Sequence, residues 1–174
     1  MAVNEADNAS VAPPDEGERI FVGLGANLGH PRAALARAMH QLGSLPGTRL
    51  VAQSSLWRTA PIESSGPDYV NAVAELRSTL APQELLAAMQ EIERRHGRRR
   101  PYRNAPRTLD LDLLFYGRRC IAEPGCTVPH PRLHLRAFVL EPLAELAPDW
   151  EHPQLGALQP WRAQAADQRL TKID

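Results

Sequence analysis

Arg107–Gly117 reads RTLDLDLLFYG, a run with strand periodicity that nevertheless carries two aspartates. Side chains alternate along a strand, so Asp110, Asp112, Leu114 and Tyr116 are expected on one face. Leu109, Leu111, Leu113 and Phe115 take the other, and that wholly apolar face reads as core. The first face starts as two carboxylates and ends apolar, so it is not an ordinary solvated surface. Like charges at neighbouring same-face positions repel, and partial burial strengthens the repulsion. A positive species is therefore expected between Asp110 and Asp112.

Upstream of this strand the chain alternates clear strand and helix patterns. RIFVGLGAN is a short apolar strand running into glycines. A helix follows, with Pro31 in its first turn, Leu35, Met39 and Leu42 at helical spacing, and Gly43 at its end. TRLVAQSSLWRT reads as a second strand, and Ala60 to Asp68 as a loop rich in Pro, Gly and Ser. YVNAVAELRSTL is a third strand with Val70, Ala72, Ala74 and Leu76 on one face. Residues 82–96 form a second helix, opened by Pro82, lined by Leu85, Met89 and Ile92, and closed by Gly97. The order strand, helix, strand, strand, helix, strand predicts a ferredoxin-like, split-βαβ α/β sandwich: an antiparallel sheet with helices on one face. A hairpin around RRCIAEPGCTVPH and a helix within 136–147, started or kinked by Pro142, complete it.

The 174 residues suit one domain, here placed at 18–162. Residues 1–17 lack periodicity and read as a disordered tail, and residues 163–174 as a weakly specified C-terminal tail. Lys+Arg and Asp+Glu are 20 each, a balance that argues against a general nucleic-acid or membrane-surface binder. No apolar run approaches the roughly 20 residues a bilayer span needs. The N-terminus lacks the basic start and apolar stretch of a secretory signal. Cys120 and Cys126 are the only cysteines, which points to free thiols in a reducing cytoplasm.

Two segments are candidates for holding phosphate. GLGANLG, Gly23 to Gly29, follows a strand and precedes a helix, but its spacing is GxGxxxG and no acidic residue ends a second strand about 20 residues on. It reads as a tight strand-to-helix turn. RRHGRRRPYRNAPR, Arg94 to Arg107, holds seven arginines in 14 residues and delivers the chain directly to the Asp110 strand. Arg makes planar bidentate contacts to phosphate, and Gly97, Pro101 and Pro106 make the segment a loop rather than a helix face. Arginines beside paired carboxylates suit a metal–polyphosphate site. Tyr69 and Asn71 share a face at the start of the third strand, where a ring and an amide can hold a planar heterocycle.

In order along the chain, GANLG, RTAP, PDYVNAV, RNAPRTLDLDLL and TVPHPRLHLRAFVLEPL resemble the motifs of the 6-hydroxymethyl-7,8-dihydropterin pyrophosphokinases of folate biosynthesis. The likeness spans about residues 19–160. It implies a ferredoxin-like fold and transfer of pyrophosphate from MgATP to a pterin hydroxymethyl group with release of AMP. By the resemblance, Asp110 and Asp112 hold two Mg²⁺ ions, and Arg98 and Arg107 serve the phosphates or the loop closing over them. Gln90, Glu93, Arg100, Leu113, Thr127, His130 and Arg136 match positions near ATP. Thr59, Ala60, Ile62, Tyr69, Asn71 and Phe138 match the pterin pocket, with Tyr69 and Phe138 stacking and Asn71 reading the pterin edge. Many members carry Trp-Gly where this chain has Asn104-Ala105, and Tyr102 is the nearby aromatic. The implied partners are these two small substrates, without nucleic acid or membrane, for a monomer.

Two other readings compete. A ferredoxin-like sheet can bind single-stranded RNA, but it should then present exposed aromatics on adjacent strands, and the chain has three each of Phe, Tyr and Trp with no such cluster. A metal-dependent phosphodiesterase would be expected to show more acidic ligands and a histidine cluster.

Overall fold

The computed structural model describes residues 17–61, 66–97 and 108–173. Its centre is a six-stranded sheet in the order β10-β3-β4-β1-β5, with β2 also paired to β4. The strands are β1 (Glu18–Ala26), β2 (Thr48–Gln53), β3 (Leu56–Thr59), β4 (Tyr69–Ser78), β5 (Asp110–Tyr116) and β10 (Leu170–Ile173). Every neighbouring pair is antiparallel. Helices α1 (Pro31–Gly43) and α2 (Pro82–Arg95) follow β1 and β4, as the split-βαβ order requires.

Both helices start where the chemistry favours it. Pro31 and Pro82 stand in first turns, where a missing N–H costs nothing. The Glu84 carboxylate accepts the Ala81 N–H at 2.9 Å, covering one donor that α2 leaves orphaned. Gly97 closes the segment at φ +74°, a conformation that a Cβ disfavours. Leu35, Met39 and Leu42 of α1 and Leu85, Met89 and Ile92 of α2 bury against Ile20, Val22 and Leu24 of β1 and Val70, Ala72, Ala74 and Leu76 of β4. The expected core face of β4 is therefore the observed one.

The opposite face of the sheet also carries helices. The hairpin β6 (Ile121–Glu123) and β7 (Cys126–Val128) is followed by a 3₁₀ turn at Leu133–Leu135 and by α3 (Ala137–Leu146). A short pair, β8 (Glu151–His152) and β9 (Gly156–Ala157), leads to α4 (Gln159–Gln164). Val139, Leu140 and Leu143 of α3 pack with Phe21, Val73, Leu114 and Phe115 in a second core. Pro142 lies inside α3 rather than at its start. The Glu145 carboxylate ties α3 to β3 by accepting the Ser55 N–H, the Ser55 hydroxyl at 2.8 Å and the Trp57 indole N–H at 2.6 Å. Burial pushes the Glu145 pKa up, and these bonds together with Lys172 more than reverse that, leaving it below its ordinary value.

Three expectations are corrected. The single strand expected over residues 48–59 is two strands, because Ser54 breaks it: its N–H donates to Val73 O, and its hydroxyl accepts the Val73 N–H at 2.9 Å in place of a backbone carbonyl. The C-terminal tail expected at 163–174 instead contributes α4's end and strand β10, which pairs with β3 from Leu170↔Thr59 to Ile173↔Leu56. Finally, the simple alternation along β5 fails beyond Leu113. Phe21 pairs with Phe115 but the next residue, Val22, pairs with Leu113, so Leu114 is an extra, bulged residue. The bulge exchanges the faces of the residues beyond it: Tyr116 joins the α1/α2 core and Phe115 the α3 core. Asp110 and Asp112, before the bulge, share the α3-side face with Leu114.

Candidate active site

The sheet register builds the site row by row. Gly25 of β1 lies between Asp110 of β5 and Asn71 of β4, and Asn71 is opposite Trp57 of β3. One step along, Asp112 is opposite Gly23, and Gly23 opposite Val73. At the near end Tyr69 is opposite Thr59. Adjacent strands lie about 4.8 Å apart, so Asp110 and Asn71 are roughly 10 Å apart across a strand that contributes no side chain. The two aspartates, two residues apart on one strand, are roughly 6.6 Å apart.

Gly23 and Gly25 are thus strand residues and not the tight turn expected from GLGANLG. A Cβ built at Gly25 would lie 3.0 Å from Asn71 Oδ1 and 3.9 Å from the Tyr69 ring. Neither glycine adds a side chain between the carboxylates and β4; the Asn71 amide leans over Gly25, and the Leu114 side chain lies over Gly23. The signal is present in the sequence as a GxG and a DxD of equal period, but only the pairing register puts one against the other. Asn27 is a further site residue that no spacing in the sequence singles out. It is 1% exposed, and its Nδ2 donates to Pro67 O at 3.0 Å, fixing the chain's entry into β4 just before Tyr69.

Asn71 is 5% exposed, and its Nδ2 donates to Thr59 Oγ1 at 3.0 Å. This bond orients the amide, with Oδ1 turned toward Gly25. Ala60 is exposed just beyond β3, Tyr69 is half-buried, and Phe138 stands in the first turn of α3 with the Arg136 guanidinium 5.5 Å from its ring centre. Thr59, Tyr69 and Asn71 therefore meet through sheet pairing. Phe138 belongs to the helix that covers the same face.

On the other side of the aspartates, the outer edge of β5 is held by two of the expected residues. Glu93 of α2 is 4% exposed, and its carboxylate accepts the Leu111 N–H at 3.0 Å, between Asp110 and Asp112 in the chain. The His130 N–H donates to Leu114 O at 3.0 Å. The His130 Nδ1 accepts the Arg132 N–H at 3.1 Å, which leaves Nε2–H as the outward donor. Burial drives the His130 pKa down, Arg136 and Arg132 push the same way, and Asp110 opposes them, so it falls to about 4 and the ring is neutral at pH 7. Gln90 is exposed one helical turn before Glu93, and Thr127 is exposed on β7. Leu113 is buried in the α1/α2 core, so its side chain cannot reach a nucleotide from that face. Ile62, Arg98, Arg100 and Arg107, with Tyr102, Asn104 and Ala105, lie outside the described residues.

The donor set fits a hard divalent cation. Two half-buried carboxylates face the same way beside a bare strand, which suits Mg²⁺, an ion that keeps waters and completes its shell with substrate phosphates. Among the described residues no group of three or more His, Cys, Asp or Glu side chains is placed to cage a metal. Both cysteines are unpaired, Cys120 exposed and Cys126 buried. Among the described residues no helix is long and apolar enough to cross a membrane.

A ferredoxin-like sheet that sets paired carboxylates beside a hydrogen-bonding slot is suited to metal-assisted transfer between two bound substrates. The model of the 7,8-dihydro-6-hydroxymethylpterin-pyrophosphokinase family matches residues 21–148, and the chain belongs to that family. It is 47% identical over 137 residues to the 2-amino-4-hydroxy-6-hydroxymethyldihydropteridine pyrophosphokinase of Pseudomonas aeruginosa, covering 78% of this chain and 85% of the relative. The enzyme of that name from Haemophilus influenzae is 39% identical, with 88% and 97% covered. Among solved structures, wild-type Plasmodium falciparum HPPK-DHPS with pteroate superposes with a TM-score of 0.69 at 10% identity, over 86% of this chain and 44% of that one. That likeness shows the shared fold, and this chain spans under half of the Plasmodium chain.

Proposed function

We propose that this protein transfers pyrophosphate from ATP to the hydroxymethyl group of 6-hydroxymethyl-7,8-dihydropterin, a step of folate biosynthesis, as a cytoplasmic monomer. The observation that carries the reading is the register row Asp110, Gly25, Asn71, which puts a carboxylate and an amide on one face, roughly 10 Å apart across a glycine, as a cation site beside a heterocycle site would require. Family membership and the relatives' shared name support the same activity.

The hydroxymethyl oxygen attacks the β-phosphorus, the bond from that phosphorus to the α–β bridging oxygen breaks, AMP leaves with that oxygen, and the hydroxyl proton passes to solvent water. Such a transfer needs alignment and charge neutralisation more than covalent help. Asp110 and Asp112 would hold two Mg²⁺ ions, which when bound neutralise the polyphosphate and acidify the attacking hydroxyl. Neutral His130 would offer Nε2–H to a phosphate oxygen, and Arg136 would add charge. Gln90, Glu93, Arg100, Thr127 and the Leu113 backbone complete the nucleotide side, with Arg98 and Arg107 on the phosphates. Asn71 would pair with the pterin edge between the rings of Tyr69 and Phe138, with Thr59, Ala60 and Ile62 around it.

The test is AMP formation from MgATP with and without the hydroxymethyl pterin. Release that depends on the pterin is expected; release indifferent to it would make the protein a hydrolase and refute the reading.

A further inference from the structure

The segment after α4, expected from its sequence to be a tail, touches both walls of the proposed pterin slot. On one wall β10 pairs with β3 so that Leu170 is opposite Thr59, the hydroxyl that orients Asn71. On the other wall Gln168 reaches the start of α3. Its Oε1 accepts the Ala137 N–H at 2.9 Å, and its Nε2 donates to Leu135 O at 2.7 Å. Ala137 is the first residue of α3, so its N–H has no partner within the helix. Arg136, the N-cap residue, supplies no side-chain cap. Gln168 is that missing cap, delivered from 31 residues downstream. It grips the backbone on either side of Arg136, immediately before Phe138. Its own placement is firm: Ala165 is buried in the α3-side core, and Arg162 of α4 holds Glu141 of α3 through two hydrogen bonds at 2.8 and 3.1 Å.

We propose that Gln168 is a positioning residue for the pterin subsite, fixing the first turn of α3 so that Phe138 stands at a set distance from Thr59 and Asn71. The proposal rests on the pterin reading above. It gives the C-terminal segment a function: one short strap sets the width of the slot from both sides. The nucleotide side is held mainly on β5 by Glu93 and His130 and meets Gln168 only through the backbone that flanks Arg136, so it is expected to respond less than the pterin side.

The experiment measures binding of 6-hydroxymethylpterin, in saturating Mg²⁺ and α,β-methylene ATP, and of the ATP analogue alone, by calorimetry. Gln168→Leu keeps the shape of the side chain and removes both hydrogen bonds. It should weaken the pterin about fivefold to tenfold, the usual worth of a helix cap, and leave the analogue within about twofold. Gln168→Glu keeps the acceptor for Ala137 but sets a second oxygen against Leu135 O, so it should restore at most part of the pterin affinity. Should Gln168→Leu not fold, Gln168→Asn, one methylene too short to span both groups, decides by the same ratio. Unchanged pterin affinity or equal weakening of both ligands would each overturn the proposal. Failure of the wild-type protein to bind the pterin would instead overturn the reading on which it rests.

Discussion

Replacing Asn71 by Ala separates the two halves of the site. The amide has two donors and an acceptor oxygen, and one donor is already spent on Thr59 at 3.0 Å. One N–H and Oδ1, on the Gly25 side, remain for a ligand. Asn71 is 5% exposed, so a heterocycle bound there has exchanged water for these two groups. Alanine leaves the corresponding pterin groups unpaired at about 1–3 kcal/mol each. The space vacated can admit a water that recovers part of the loss, so a total of about 1.5–3 kcal/mol is expected. That is about 10- to 100-fold in pterin affinity at 1.4 kcal/mol per decade. Thr59 loses its partner as well, worth about 1 kcal/mol, so the melting temperature should fall by about 2–4 °C. Calorimetry with the pterin, in saturating Mg²⁺ and an ATP analogue, and then with the analogue alone, gives both affinities. Weakened analogue binding with intact pterin binding would refute the reasoning and exchange the two halves of the site.

Asp110→Asn and Asp112→Asn should each lower turnover about 100-fold or more at saturating Mg²⁺; near-wild-type turnover in either variant would sink the cation assignment. Gly25→Ala places a methyl 3.0 Å from Asn71 Oδ1, so it should weaken the pterin about tenfold, and an unchanged pterin Kd would show that this position need not be bare. His130, lowered from an ordinary 6.5 to about 4, binds its proton more readily in the unfolded chain. Stability from this residue is complete above pH 6.5 and is lost as the pH falls toward 4, by on the order of 2–3 kcal/mol. Urea unfolding of wild type and His130→Asn at pH 7.5 and 4.5 isolates it: the variant should show the smaller drop, and equal drops would contradict the assignment.

Local pattern alone determined much of this protein. Pro31, Pro82 and Gly97 mark helix ends through their own backbone limits, and the apolar faces of α1, α2 and β4 follow from periods of 3.6 and 2. The same-face placement of Asp110 and Asp112 on β5 also follows from the period of 2. The features that required the tertiary structure depend on register and distant partners. The bulge at Leu114 turns Tyr116 and Phe115 to opposite faces from those alternation assigns, because an extra residue is invisible until β5 is laid against β1. Gly25 acquires its meaning only from Asp110 on one side and Asn71 on the other. Ser54 breaks a strand by borrowing Val73's ladder bonds, and Leu170–Ile173, polar and short, becomes a strand only because β3 leaves it an edge. Periodicity is a property of neighbours along the chain, whereas register, bulges and caps supplied from 31 residues away are settled by which backbone groups are left to be satisfied once the sheet has formed.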